Sequence, residues 1–178
     1  MRLSVRWTRR RSWITCSGKT GAIKEHGVFF GTLSPDLALP AVATRDIAAV
    51  AARLLLDRTW TGQEEVPLLG PEDLSGNDMA AIAAEVLGIP VRYQQIPRQA
   101  YKDRLTGAGV SEAMAQGMLD MMIAKDNGLD LGVARTPQHA IDTPTTFRQW
   151  CEDTLKPAVQ TDVPPLRLPA ARRGVPAA

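Results

Sequence analysis

Apolar residues recur along this chain in helical stripes, separated by short apolar runs and turn residues. His26-Gly27-Val28-Phe29-Phe30-Gly31-Thr32-Leu33 reads as a short buried strand between glycines. Ser34-Pro35-Asp36 is a turn, and residues 37–42 are extended, with Pro40 arguing for an edge or a loop. Thr44 is the expected N-cap of a helix, with Asp46 suited to the positive end of its dipole. Ile47, Val50, Ala51, Leu54 and Leu55 give that helix one stripe, through about Asp57. Residues 60–63 connect to a strand expected over 66–70, closed by a turn at Pro71-Glu72-Asp73. Ser75 caps a second helix, whose stripe is Met79, Ile82, Ala83, Val86 and Leu87 and whose stop signals are Gly88 and Pro90.

Residues 91–96 alternate as a half-buried strand that Pro97 ends. A short helix follows at about 99–105, broken by Gly107 and Gly109. Ser111 caps a longer helix to about Lys125, with Met114, Met118, Met121 and Met122 on one side, and Asn127-Gly128 stops it. Thr143 or Thr145, with Pro144 near the first helical position, opens the last helix through Phe147, Trp150, Cys151 and Leu155. Beyond Pro157 the chain turns to Pro, Ala and Arg, and residues 160–178 are expected to be a disordered tail. Strands followed by helices place the chain in the α/β class. Yet none of its 14 glycines forms G-x-G-x-x-G or G-x-x-G-x-x-G after a strand. The phosphate-binding turn that opens a doubly wound domain is therefore absent from this sequence.

Charge changes the picture through its distribution. The 178 residues carry 21 Lys/Arg and 19 Asp/Glu, a net of +2. Residues 1–20 hold six of the basic residues and no acid, and residues 160–178 hold three against one acid. That leaves 12 basic and 18 acidic residues over 21–159, so the expected folded part is at −6 and would repel a nucleic-acid backbone. The start lacks the apolar core of a secretory signal, and no apolar run reaches the roughly 18 residues of a membrane helix. Cys16 and Cys151 lie far apart without metal-ligand spacing, which suits a reducing compartment, and the expected location is cytoplasmic.

The order of segments is specific. Residues 27–31, then Leu39-Pro40-Ala41-Val42-Ala43-Thr44-Arg45-Asp46-Ile47, resemble the strand and helix that follow the cofactor half in NmrA-like proteins. These are atypical short-chain dehydrogenase/reductase relatives. Leu68-Leu69-Gly70-Pro71, the helix to Leu87-Gly88, Pro90-Val91-Arg92-Tyr93 and Thr145-Thr146-Phe147-Arg148-Gln149-Trp150 continue the likeness, over roughly residues 21–159. The resemblance implies the C-terminal, substrate-side portion of an NAD(P)-binding Rossmann-type protein. Complete family members bind NAD(P)H, some as quinone- or azo-type reductases and some as redox-sensing regulators. The residues that hold the cofactor lie upstream of the matched region, so no cofactor is expected on this chain alone. Residues 1–20 do not resemble the family. Reading the codons of residues 9–19 in a shifted frame permits Pro-Ala-Phe-Met-Asp-Asn-Leu-Leu-Arg-Gln, similar to the family segment before this strand. A shifted or mis-called gene start is expected, with a fused leader as the alternative.

No catalytic or metal-binding set stands out. Arg45 and Asp46 either border a substrate cleft or serve as a surface charge and a helix-end acid. Phe29 and Phe30 either wall an aromatic pocket, or pack one in the core and one under the missing half. Met114 and Met118 either line an adaptable apolar pocket with Met121 and Met122 or pack in the core. His26 and His139 are expected at the surface or in turns. Tyr93 and Tyr101 lack a lysine four residues later, so the usual short-chain dehydrogenase acid is missing. Cys151 is expected to be a small buried hydrophobe, and Arg9-Arg10-Arg11 with Trp7 and Trp13 make a weak nucleic-acid candidate against the acidic body. Three functions remain: a truncated family member without independent catalysis, a reductase by ancestry, or a regulatory or interaction module. A small-molecule ligand and self-association through an exposed apolar face over Val28, Phe29, Phe30 and the helix after Thr44 are the expected partners.

Overall fold

The computed structural model describes residues 20–59, 61–62 and 65–161, together with the backbone of Arg11–Ser12. In chain order the elements are β1 (Arg11–Ser12), α1 (Thr20–His26), β2 (Val28–Gly31), β3 (Leu39–Val42), α2 (Thr44–Leu56), β4 (Asp73–Leu74) and α3 (Gly76–Leu87). There follow β5 (Arg92–Gln95), α4 (Arg98–Gly107), α5 (Glu112–Asp126), α6 (Pro137–Asp142), α7 (Phe147–Trp150) and α8 (Lys156–Gln160). A π-helical stretch, Cys151–Leu155, joins α7 to α8. The remainder of the basic leader before Thr20, with Trp7, Trp13 and Cys16, lies outside the described residues, as do the tail beyond Thr161 and Trp60 and Gln63 of the connector.

The centre of this α/β fold is the parallel pair β2–β5, in the register Phe29 opposite Tyr93 and Gly31 opposite Gln95. Gly27 makes the entry possible. It closes α1 in the left-handed region, at φ 62°, and a Cβ there would lie 2.4 Å from the Pro90 carbonyl oxygen. Tyr93 is the keystone of the pair: its hydroxyl donates to the Leu33 carbonyl at 2.8 Å and its ring meets Phe29 at 5.3 Å between centroids. Around it pack Ile23 of α1, Met79 and Ala83 of α3, and Phe147, Trp150 and Leu155 of the C-terminal helix, forming one core. A second small sheet has β3 in the middle, parallel to β1 and antiparallel to β4.

Pro40 fits inside β3 because β1 pairs with Ala41 and Val42 and β4 with Leu39 and Pro40. The ladder is one-sided at the proline among the described residues, so its missing N–H is not required there.

Several expectations need correction. Thr44 is the first residue of α2; the cap is Ala43, with no side-chain bond. The strand expected over residues 66–70 is absent, and the short strand falls at Asp73–Leu74, where a turn was expected. Leu68 and Leu69 are buried as a strand's would be, but side chains take the carbonyls that a neighbouring strand would bond. The last helix is capped by Thr146 in a box with Gln149, while Thr143 and Thr145 are buried and bonded elsewhere. It continues past Pro157 to Gln160. The wider turns of Cys151–Leu155 accommodate the N–H that proline lacks and the carbonyl its ring would strike. His139 is buried inside α6, not at the surface.

The cap of α3 stands as the sequence implies. Ser75 Oγ accepts the Asp78 N–H at 3.1 Å, and Asp78 accepts in return from the Ser75 N–H at 2.9 Å and from its hydroxyl at 2.6 Å. Those bonds from the Ser75 hydroxyl, and then from its backbone, hold the Asp78 carboxyl below its ordinary value. A lowered folded pKa stabilises fully above the unfolded value, about 3.9, and the contribution fades as pH falls through the folded one. Ser75→Ala is expected to cost about 1 kcal/mol at neutral pH. Melts of both proteins from neutral pH into acid should show that gap narrowing below about pH 4. A gap that widens in acid would contradict the assignment.

Candidate functional site

Because β2 and β5 run parallel, their carboxyl ends share one edge. In open α/β sheets the ligand crevice lies outside such an edge. Here the chain after β2 is pinned by Gln95 Nε2 donating to the Thr32 carbonyl at 3.1 Å and by the Ser34 N–H donating to Asp126 at 2.8 Å. From the end of β5, Pro97 turns the chain into α4, and the Arg104 guanidinium sits 4.6 Å from the centroid of Phe30. The α4–α5 hairpin is held by Lys102 to Glu112 at 2.5 Å and Arg98 to Asp126 at 3.7 Å. It therefore reaches over the strand ends. Thr32, 5% exposed, has a hydroxyl with no hydrogen-bond partner among the described residues.

The six residues singled out from sequence fall on three elements. Phe29 is in the core and Phe30 is half-buried under Arg104. Val28 and Phe29 are thus covered, and the expected exposed face survives only on α2, where Leu55 and Leu56 are 72% and 81% exposed. Asp46 is buried at the start of α2 and accepts from the Thr145 N–H at 3.0 Å and the Thr145 hydroxyl at 2.8 Å. Arg45 donates to Thr145 Oγ1 at 3.0 Å and pairs with Asp153 at 2.8 Å. Both side chains thereby tie α2 to the C-terminal helix across about a hundred residues of chain. Met114 is 60% exposed, and Met118, Met121 and Met122 are half-buried, so the methionines are not the core face of α5. Ala115, Leu119 and Lys125 are its buried positions, since its apolar residues surround the helix instead of forming one stripe.

A second concavity lies between residues 69–71 and the 135–144 segment. This cleft, about 290 Å³, is lined by Leu69, Gly70, Pro71, Arg135, Thr136, His139, Ala140 and Pro144. Arg135 donates to the Gly70 carbonyl at 2.8 Å and pairs with Asp73 at 2.5 Å. His139 Nδ1 accepts the Thr136 N–H at 2.8 Å, which leaves Nε2 to donate to the Pro67 carbonyl at 3.0 Å. Sequence reasoning missed this cluster. Its one readable signal was Thr136-Pro137, a cap followed by proline at the first helical position.

Among the described residues, no strand-to-helix turn has the open glycine-lined form of a dinucleotide site. A pyrophosphate needs several N–H groups at a helix start reached through a glycine-lined turn. β3 enters α2 through Ala43 with Asp46 in the first turn, and β5 enters α4 through Pro97, which has no N–H. β4 enters α3 at Gly76, but the space a Cβ would fill there belongs to the Tyr93 ring, 2.6 Å away. Among the described residues no group of three or more His, Cys, Asp or Glu could hold a metal ion, and no helix is long and apolar enough to cross a membrane. The Tyr93 hydroxyl is bonded to the Leu33 main-chain carbonyl inside the core.

Residues 24–151 match the NmrA-like family. The NAD(P)H azoreductase of Xenophilus azovorans is 37% identical over 134 residues, covering 74% of this chain and 46% of that protein. Prestalk A differentiation protein A of Dictyostelium discoideum is 23% identical over 114 residues, 64% of this chain and 38% of that one. The chain thus spans less than half the length of the curated relatives it matches. Among solved structures, an NADPH-dependent quinone oxidoreductase from Escherichia coli superposes with a TM-score of 0.64 at 23% identity, over 80% of this chain and 52% of that one. A Citrobacter triphenylmethane reductase complexed with NADP(H) does so with a TM-score of 0.60 at 21% identity, over 76% and 47%.

Proposed function

This chain belongs to the NmrA-like family, and on that premise we propose that roughly residues 21–159 form the substrate-side portion of an NAD(P)H-dependent reductase and that the chain has no independent hydride-transfer activity. The observation that carries this reading is the mismatch between the helix starts and a pyrophosphate: the described turns into α2 and α4 hold no glycine, the glycine at α3 is filled by Tyr93, and Asp46 and Asp78 put acids in the first turns of α2 and α3. Likeness to the azoreductase supports aromatic electron acceptors of the azo type as the ancestral substrates. The edge with Phe30 under Arg104 is the surface such a ring would meet. The buried Cys151 thiol is compatible with cytoplasmic residence.

NADPH oxidation in the presence of a quinone or an azo dye tests the activity. The expected rate with purified protein equals the buffer blank, and turnover above it would put the reductase reading first. One observation favours a second reading, an interaction module that self-associates: Leu55, Leu56 and Ile141 are all more than 70% exposed. Its signature is a sedimentation coefficient that rises with protein concentration, and a constant monomer value would remove it.

A further inference from the structure

We propose that the cleft between residues 69–71 and α6 is a second ligand site, separate from the strand-end edge, and that it takes a neutral hydroxyaromatic ring of the phenol or naphthol class. The inference does not depend on the reductase reading, because it needs no cofactor.

Size and lining set the first half of the argument. A volume of about 290 Å³ lies near the lower bound of small-molecule sites, suited to one or two fused rings. Leu69, Pro71, Ala140 and Pro144 make most of the wall apolar. These walls are held in place: His139 bonds to Pro67, Thr143 contacts the Leu69 carbonyl, and Arg135 bonds to Gly70. The cleft is therefore preformed by side chains that clamp an extended segment with no strand partner among the described residues.

Charge sets the second half. Arg135 is neutralised by Asp73, and both His139 ring nitrogens are engaged by the main chain, Nδ1 by the Thr136 N–H and Nε2 by the Pro67 carbonyl. An anion would meet no net positive charge here, and a cation no net negative one. What the wall offers a polar group is directional. Arg135 uses Nε on Gly70 and one Nη on Asp73, so its other Nη remains a donor. The Thr136 hydroxyl lies 3.1 Å from His139 Nδ1, and its oxygen retains a lone pair as an acceptor. A phenolic hydroxyl can satisfy both, accepting from the arginine and donating to the threonine.

The test uses the full chain with 2-naphthol, which NAD(P)H does not reduce, followed by ligand fluorescence or saturation-transfer NMR without nucleotide. Saturable binding is expected, weakened about tenfold or more by Ala140→Trp, which fills the cleft from an exposed position of α6. The variant's melt should remain cooperative. 2-Naphthoate, of similar shape but charged, should bind more weakly than the naphthol. The proposal is overturned if no saturation is seen into the millimolar range, if Ala140→Trp binds 2-naphthol unchanged, or if the carboxylate binds better. It is overturned equally if Ala140→Trp abolishes a self-association seen in the wild-type chain, because a second copy then covers the cleft. None of these readouts depends on NADPH oxidation, so the site and the reductase reading can fail separately.

Discussion

Removing one partner of the Lys125–Asp130 ion pair is expected to cost about 3–5 kcal/mol, whereas replacing both partners by apolar residues should cost far less. Lys125 lies in the last turn of α5, and Asp130 follows the reversal at Asn127-Gly128, where Gly128 has φ 93°. That reversal brings the two side chains into contact, 6% and 7% exposed. Two charges so far from water support each other: removing one leaves the other with its desolvation cost and without this ion pair to offset it. Lys125→Met and Asp130→Asn should each lower the melting temperature by roughly 10 °C, with Lys125→Met/Asp130→Leu recovering most of the loss. Singles within about 1 kcal/mol of wild type, or a double as damaging as their sum, would mean that water reaches the pair.

Tyr93 is the second position of large effect. Its ring is bracketed by two glycines, so a Cβ on Gly31 would lie 2.4 Å from its hydroxyl and one on Gly76 would lie 2.6 Å from its ring. Tyr93→Ala would empty this space beside Phe29, at a cost of about 3–5 kcal/mol. Tyr93→Phe keeps the packing but leaves the Leu33 carbonyl unpaired, costing about 1–3 kcal/mol. Chemical denaturation of the two variants checks that order. If Tyr93→Phe proves as harmful as Tyr93→Ala, the hydrogen bond outweighs the packing and this account of the core is wrong.

Much of this fold was legible because its helices carry local signals. Ser75 with Asp78, Gly88 at φ 70°, and Ser111 stand at element boundaries and act within a few residues. What escaped has distant causes. The segment 66–70 has a strand's apolarity, yet its carbonyls are taken by Arg135, His139 and Thr143, which are 65 or more residues away in sequence. Three threonines near Pro144 each look like a cap, and only burial of Thr143 and Thr145 against Leu69 and Asp46 selects Thr146. The first helix was missed because it is only seven residues long, although Gly27 is its stop signal. At the candidate site Phe30 was readable as an aromatic near a strand end, but Arg104 is 74 positions further along the chain. Only the parallel pairing of β2 with β5, followed by α4, brings the two together. Asp46 had the sequence context of a dipole-stabilising acid, and its bonds to Thr145 depend on the tertiary fold.

The central claim is the proposal that roughly residues 21–159 form the substrate side of an NmrA-like protein and that the described residues offer the cofactor no phosphate site. Titration of NADPH into the purified chain, by calorimetry or by nicotinamide fluorescence, addresses it most directly. The account predicts no saturable signal, because the described turns into α2 and α4 hold no glycine and the one into α3 is filled by Tyr93, leaving a pyrophosphate no close approach to the helix N–H groups. Saturable binding in the micromolar range would contradict it and would mean that these residues hold the dinucleotide by another route.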